Sequence, residues 1–227
     1  MQKIENKAIF ELVYDRIKKM VDDGELKPGE KINKKLLAEL LEVSQTPIND
    51  ALSKLAGEKL LVQRSREGFF VYQYNYLELS QLFELRASIE GMAARLCAEH
   101  MQDNEIVQIS KSFDNFTLPL SIKRQNDYLV ADKHFHESLV KYSMNPFLVD
   151  IFVRSGYFSK SNQKGLLRPA EDTLPEHMMI INALKNRDAH LAQELIIIHF
   201  LRTRDVLLAS WDSQENTATT IIDTSTR

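Results

Sequence analysis

The chain of 227 residues predicts a mainly α-helical protein: an N-terminal winged helix-turn-helix with a small β-hairpin wing, then a C-terminal all-α antiparallel bundle of about six helices. Three observations carry that expectation. Residues 33–58, NKKLLAELLEVSQTPINDALSKLAGE, hold two short amphipathic helices parted by a tight polar break. The stretch after Gly57, LLVQRSREGFFVYQY, sets two runs rich in Leu, Val and Phe around Ser65, Arg66, Glu67 and Gly68, which is a hairpin pattern. From Leu77 onward the apolar spacing is helical and strand patterns disappear.

Taken in order, residues 6–22 repeat Ile9, Leu12, Val13, Ile17, Met20 and Val21 at helical spacing, and Asp23-Gly24 and Pro28-Gly29 punctuate the exit. This first helix is expected to pack beneath the helix-turn-helix. In the next, Leu36, Leu37, Leu40 and Leu41 form the apolar face while Lys34, Lys35 and Glu39 stay in water. Glu42, Val43 and Ser44 make the break. Ser44 or Thr46 can cap the following helix, and Pro47 fits a first turn whose amide has no partner in any case. Ile48, Leu52 and Leu55 then face inward, leaving Gln45, Thr46, Asn49, Ser53 and Lys54 outward, within reach of base edges or phosphates. An ordinary helical hairpin would share that pattern, but not the hairpin wing that follows. Arg64 and Arg66 at the wing tip suit backbone phosphates, and Gly68 permits a close approach of main chain to a groove.

Residues 72–76 read as a short connector. Helices are expected at 77–101, 103–116, 121–142, 146–159, 174–186 and 188–210, joined by short loops. Residues 213–227, rich in Ser and Thr, are expected to be a loose tail. The domains are therefore a DNA-binding unit over 1–72, a helical unit over 77–212 and the tail.

Composition sets bounds. With 44% hydrophobic and 27% charged residues the chain is ordinary globular material. Its apolar runs fall far short of the roughly 20 residues of a membrane span, and residues 1–10 lack a signal-peptide core, so a cytoplasmic protein is expected. The single cysteine, Cys97, cannot form an internal disulfide and sits among Ala93, Ala94, Leu96 and Ala98, a buried helical setting. Net charge is −3; residues 1–74 carry 13 Lys+Arg against 12 Asp+Glu, and the rest 16 against 20. Affinity for DNA must therefore come from local placement of Lys34, Lys35, Lys54, Arg64 and Arg66.

The segment GELKPGEKINKKLLAELLEVSQTPINDALSKLAGEKLLVQRSREGFFV resembles the N-terminal winged helix of GntR-family transcription regulators. LFELRASIEGMAARL, DKHFHESL, EHMMIINAL and RDAHLAQELIIIHF together resemble the helical ligand-sensing domain of its FadR-type (FCD) subgroup, and the six helices are more similar to the VanR-like branch. The resemblance implies a homodimer on a palindromic double-stranded operator, as repressor or activator. Two departures matter. Glu42 stands where the family usually has Gly in the turn, and Gln45 and Asn49 stand where relatives carry guanine-reading arginines. Gln and Asn pair with adenine N6/N7, so a shifted operator or weaker binding is expected.

Asp132 and His136 are one helical turn apart on one face, while His134 points away. His177 follows Thr173, Leu174 and Pro175 in what reads as a first turn, and His199 interrupts an apolar run. Singly, each reads as a core histidine bonded to a neighbour. Together, one carboxylate and three imidazoles from three helices can build a metal site, and the resemblance places the family's ligands at these four positions. Zn²⁺ suits the donor set, and Ni²⁺, Mn²⁺ or Fe²⁺ would keep positions open for a small carboxylate effector. Arg86 could pair with that anion or with Glu90 one turn on; Arg154 is a second candidate. His100 and His190 are expected at solvated helix ends.

A metabolite-responsive regulator is the first expectation. A metal-dependent hydrolase is the alternative, but it needs a general base, and Glu137 and Glu176 are only neighbours of the ligands. A purely structural metal is the third reading.

Overall fold

A computed structural model describes residues 2–156 and 167–224, and for residues 2–8, 155 and 214–224 only the backbone. The chain divides into two compact units, one built on residues 1–74 and one on 75–153 with 164–227. No helix among the described residues is long and apolar enough to cross a membrane.

In the first unit α1 (Gln2–Asp22) buries Val13, Ile17, Met20 and Val21 in one core with Ile48, Ala51, Leu52 and Leu55 of α3 (Gln45–Gly57). Ile9 and Leu12, expected in that face, are exposed: Leu12 lies off the stripe that 13, 17 and 20 define, and Ile9 sits one turn ahead of Val13, beyond the buried part of that stripe. The helix between them, α2 (Lys34–Leu40), is capped by Asn33, whose Oδ1 accepts from Leu36 N at 3.1 Å. Of its four leucines only Leu37 is buried, with Leu41 packed beside it; Leu36 and Leu40 are exposed at 58% and 59%. A two-turn helix has room for one stripe against the core, and 37 and 41 take it.

The break between α2 and α3 is a Schellman motif. Val43 N bonds to Ala38 O and Glu42 N to Glu39 O, with Glu42 itself at φ 53°. α3 ends the same way, Leu60 N on Leu55 O and Lys59 N on Ala56 O, with Lys59 at φ 58°. Ser44 takes the dihedrals of an N-cap for α3 without a side-chain bond. The wing pairs β1 (Leu61–Arg64) with β2 (Gly68–Val71) antiparallel, from Leu61 opposite Val71 to Arg64 opposite Gly68. Arg66 at φ 63° and Gly68 at φ 104° turn the tip, and the latter value explains the glycine. A bridge from Lys31 to Phe70 extends the sheet on its other edge.

The second unit opens on α4 (Tyr76–His100), held at its start by reciprocal bonds between Asn75 and Glu78, a capping box. Then come α5 (Asp103–Ser110), a 3₁₀ turn (Ile122–Arg124), α6 (Gln125–Tyr142), α7 (Pro146–Ser155), α8 (Ala170–Lys185) and α9 (Ala189–Thr224). α4 packs closely on α9, and Ala87, Gly91, Ala94 and Ala98 are small buried residues at helical spacing along α4. A Cβ at Gly91 would sit 2.8 Å from Ile197 Cγ1 on α9, so this glycine is a close-approach position. The bundle thus has six helices among the described residues, as expected, with changed bounds. α5 stops at Ser110, six residues short of the expected 116. α8 starts at Ala170 rather than 174, placing Pro175 inside the helix, where it forgoes the bond to Glu171 O, and His177 in the second turn. The expected end of the fourth helix at 159 lies outside the described residues. α9 continues through Thr224 where the tail was expected, since residues 210–224 contain no proline or glycine to stop it.

Glu42 is exposed and holds the left-handed conformation at a cost that glycine avoids. Glu42→Gly should therefore stabilise the protein by about 0.5–1 kcal/mol after the added flexibility of the unfolded chain is counted, while Glu42→Val should destabilise it. Denaturant midpoints at unchanged slope measure both; a lower midpoint for Glu42→Gly would contradict the strain.

Candidate metal centre and nucleic-acid interface

Asp132 and His136 of α6, His177 of α8 and His199 of α9 come together: one donor atom from each lies within 4.8 Å of every other. His177 Nε2 is 3.3 Å and His136 Nε2 3.8 Å from the same oxygen, Asp132 Oδ1. All three imidazoles are buried, packed among Phe113, which stacks on His177 at 4.7 Å, Phe135 and Phe200.

What orients the rings is the other nitrogen. His136 Nδ1 lies 2.7 Å from Glu90 Oε2 of α4, and His199 Nδ1 lies 2.7 Å from Glu176 Oε2 of α8. A carboxylate only accepts, so His199, hydrogen-bonded to Glu176 through Nδ1, carries its proton there and turns a bare Nε2 inward, while the Glu90 contact of His136 is a close ion-pair contact without hydrogen-bond alignment. His177 Nδ1 is 3.2 Å from the Tyr128 hydroxyl. Its Nε2 is buried and makes no hydrogen bond. An imidazole nitrogen left so beside a carboxylate, with two more imidazole nitrogens converging on it, fits a divalent cation.

The two carboxylates are themselves held. Glu90 is fully buried and takes Arg86 Nε at 2.7 Å; burial pushes its pKa up, but Arg86 and then His136 outweigh that and keep it below the ordinary value. Glu176 receives both terminal nitrogens of Arg168, at 2.8 and 2.7 Å, and Arg202 at 2.5 Å. Burial again opposes ionisation, and bonds from His199, Arg168 and Arg202 hold Glu176 well below the carboxylate range. Burial, then the neighbouring His199 and His136, depresses His177 far below the usual imidazole value; burial also lowers His199, against the pull of Glu176.

Several sequence expectations meet this geometry. His134 is exposed beside Ser112, and His100 and His190 are exposed. Of the two roles open to Arg86, the pairing with Glu90 is realised, with the guanidinium 4.3 Å from the Phe200 ring. Arg154 is exposed in the last turn of α7. Glu137 is exposed. Glu90, Tyr128, Arg168 and Glu176 went unassigned to the centre. Glu176 adjoins His177 in sequence, but neighbours on a helix point about 100° apart, so it serves His199 on another helix instead.

In the first unit Gln45 and Thr46 are exposed and Asn49 half-buried at the start of α3, and at the start of α2 Lys35 is exposed and Lys34 half-buried. Arg64 lies 4.3 Å over the Phe70 ring and Lys34 5.9 Å from that of Phe69, which presents their charges on an apolar floor, with Arg66 and Gly68 at the tip. Lys35 is 4.0 Å from Glu39. Lys54, expected to face outward, is exposed, with its ammonium 4.0 Å over the Tyr14 ring.

Both depressed imidazoles are neutral in the fold, while in the unfolded chain they take protons below about pH 6.5. The unfolded state then binds more protons, so stability falls as pH falls. Metal-free protein should hold its urea midpoint from pH 8 to about 7 and lose stability below about 6.5, by up to about 1.4 kcal/mol per pH unit for each histidine. Glu90 and Glu176, lowered rather than raised, add a separate loss below the ordinary carboxylate value of 4.5. A midpoint that rises between pH 7 and 5 would refute the buried neutral rings.

Residues 10–71 match the family of bacterial regulatory proteins, gntR family, and residues 81–202 match the FCD domain. The chain is 27% identical over 192 residues to the HTH-type transcriptional regulator YdhC of Bacillus subtilis, over 82% of this chain and 85% of that one. It is 35% identical over 126 residues to the Nta operon transcriptional regulator of Aminobacter aminovorans, over 54% of this chain and 58% of that one. Among solved structures, E. coli McbR/YncC shares the fold at a TM-score of 0.71 and 19% identity, over 89% of this chain and 98% of that one. Winged helix, wing and helical bundle follow one another in the order these matches require, and the chain belongs to the GntR family of transcriptional regulators, with an FCD domain as its second half.

Proposed function

We propose that the protein is a cytoplasmic, metabolite-responsive regulator: paired winged helices of a homodimer bind a palindromic operator, and the bundle holds a divalent cation that a small carboxylate completes. The observation that carries this reading is the convergence of Asp132 Oδ1 with the three histidines, two of them with Nδ1 already tied to a carboxylate. Asp132, His136, His177 and His199 would hold the ion. Four such N and O donors complete a tetrahedral Zn²⁺, and Ni²⁺, Mn²⁺ or Fe²⁺ with six positions would leave two for the carboxylate. A bound divalent ion supplies a fixed positive charge to which a carboxylate can bind. Arg86 acts on the site through Glu90 and His136, and a direct contact from Arg86 or Arg154 to the acid is the further part of the proposal. The hydrolase reading loses its candidate base, because Glu176 is engaged by Arg168, Arg202 and His199.

Coupling runs through α4. Glu90, the partner of His136, sits on this helix, and Asn75, its cap, directly follows Tyr74, whose hydroxyl donates to Lys59 O in the winged unit. A shift of α4 on binding acid would pass into a connector of four residues, 72–75, and change how the paired winged helices meet DNA. Switching from nearly all bound to nearly all free requires about 5 kcal/mol of differential affinity.

On DNA, Arg64→Ala and Lys35→Ala should weaken binding to all sequences and lower its salt dependence. Asn49→Ala should relax base preference by about 1–3 kcal/mol, with two chains bound per operator. Equal losses for Asn49→Ala on operator and random DNA would exclude Asn49 as a base reader.

His199→Ala should lose the metal, melt at lower temperature, and bind operator without response to small carboxylic acids. Elemental analysis and DNA titration on this variant decide the proposal: metal and full response both retained would place the sensor elsewhere.

A further inference from the structure

The Nδ1 atoms of His136 and His199 each face a carboxylate, which only accepts, but the partner of His177 is a phenol, which can either donate or accept the hydrogen bond. If Tyr128 donated to His177 Nδ1, the ring proton would sit on Nε2 and point at Asp132. The direction is decided two residues further along. Tyr128 Oη is 2.7 Å from Thr173 Oγ1, the length of a good O–H···O bond, against 3.2 Å to His177 Nδ1. Thr173 Oγ1 in turn lies 3.3 Å from Pro169 O, one turn back. A carbonyl can only accept. With Thr173 donating to Pro169 O, its oxygen is free to accept the hydrogen bond from the Tyr128 O–H, and Tyr128 in turn accepts from His177 Nδ1–H.

We infer that Tyr128 and Thr173 are positioning residues that, from the Pro169 carbonyl, hold neutral His177 as its Nδ1–H tautomer with a bare Nε2 turned toward Asp132. The inference rests on the reading of this cluster as a metal site for its purpose, but not for its geometry. Tyr128, Phe113 and Phe135 pack the ring so that it cannot turn to another partner: the stack on Phe113 is within 10° of parallel, and Tyr128 and His177 are both fully buried. The relay starts at the residue before α8 and runs through its first turn, so the start of that helix four residues ahead of the expected position is what places Thr173 one turn after Pro169.

The test reads the tautomer itself. In full-length metal-free protein at about pH 8, above the usual imidazole range, two-bond ¹H–¹⁵N correlation spectra should show His177 protonated on Nδ1. Thr173→Val, which keeps the shape and removes the hydroxyl, and Tyr128→Phe should move the proton to Nε2, while Thr173→Ser should restore the wild-type signature. Competition titrations with Zn²⁺ alone should show affinity lower by about 10- to 100-fold in Thr173→Val and Tyr128→Phe, with the wild-type value in Thr173→Ser. An Nε2–H signal in wild-type protein, or no change in Thr173→Val, overturns the inference. A wild-type protein that keeps Nδ1–H and binds no Zn²⁺ upholds the relay and removes the metal reading instead.

Discussion

The helical unit depends on one constraint: a buried imidazole must have its second nitrogen occupied. Three rings lie inside the bundle, and each has its Nδ1 against a partner supplied by a different helix position, Glu90 on α4, Tyr128 on α6 and Glu176 on α8. Burying carboxylates in turn requires cations, since an isolated ionised group in an apolar interior costs far more than one pair can return. Arg86 answers Glu90 and Arg168 with Arg202 answers Glu176. Four helices are thereby fixed in rotation about their own axes, because a turn of any one of them would strand a charge.

That arrangement explains why the apolar pattern of the bundle is interrupted where it is. Arg86, Glu90, His136, His177 and His199 all occupy positions that the helical period assigns to the interior. Hydrophobic residues there would pack as well and demand less, so packing alone does not account for the polar set. The winged unit shows the opposite economy, with an apolar core and with Lys34 of α2 and Arg64 of the wing laid over the Phe69 and Phe70 rings at the surface.

The order of elements was legible because each follows from local pattern: two-turn and four-turn amphipathic helices, a hairpin, six helical periods. That Asp132, His136, His177 and His199 come together was legible because Asp132 and His136 share a face by spacing, His199 interrupts an apolar run, and the family resemblance picks out these four positions. Bounds were less so. Leu36 and Leu40 have the spacing of a buried stripe as good as that of Leu37 and Leu41, and only packing against α3 chooses between them. Pro175 reads as a start signal, yet a helix tolerates a missing bond when the turn ahead is pinned, as Asp172 N and Thr173 N are by Pro169 O. The partners Glu90, Tyr128, Arg168 and Glu176 were hidden for another reason. Glu90, Tyr128 and Glu176 each reach a histidine on another helix, 23 residues away for Glu176 and 49 for Tyr128, Arg168 reaches Glu176 from ahead of α8, and no period in one helix encodes that.

Gly91 carries a consequence of its own. It follows Glu90, which aims His136, and it touches Ile197, two residues before His199. Orientation and spacing of two of the four donors are therefore governed by adjacent residues on α4, one through charge and the other through the absence of a side chain. A single methyl group at position 91 must displace Ile197 or the helix that bears it, altering the bite of the site while leaving every donor atom chemically the same. If the four side chains hold a cation as proposed, the site's preference for a larger or smaller ion depends on a residue that would never be counted among the ligands.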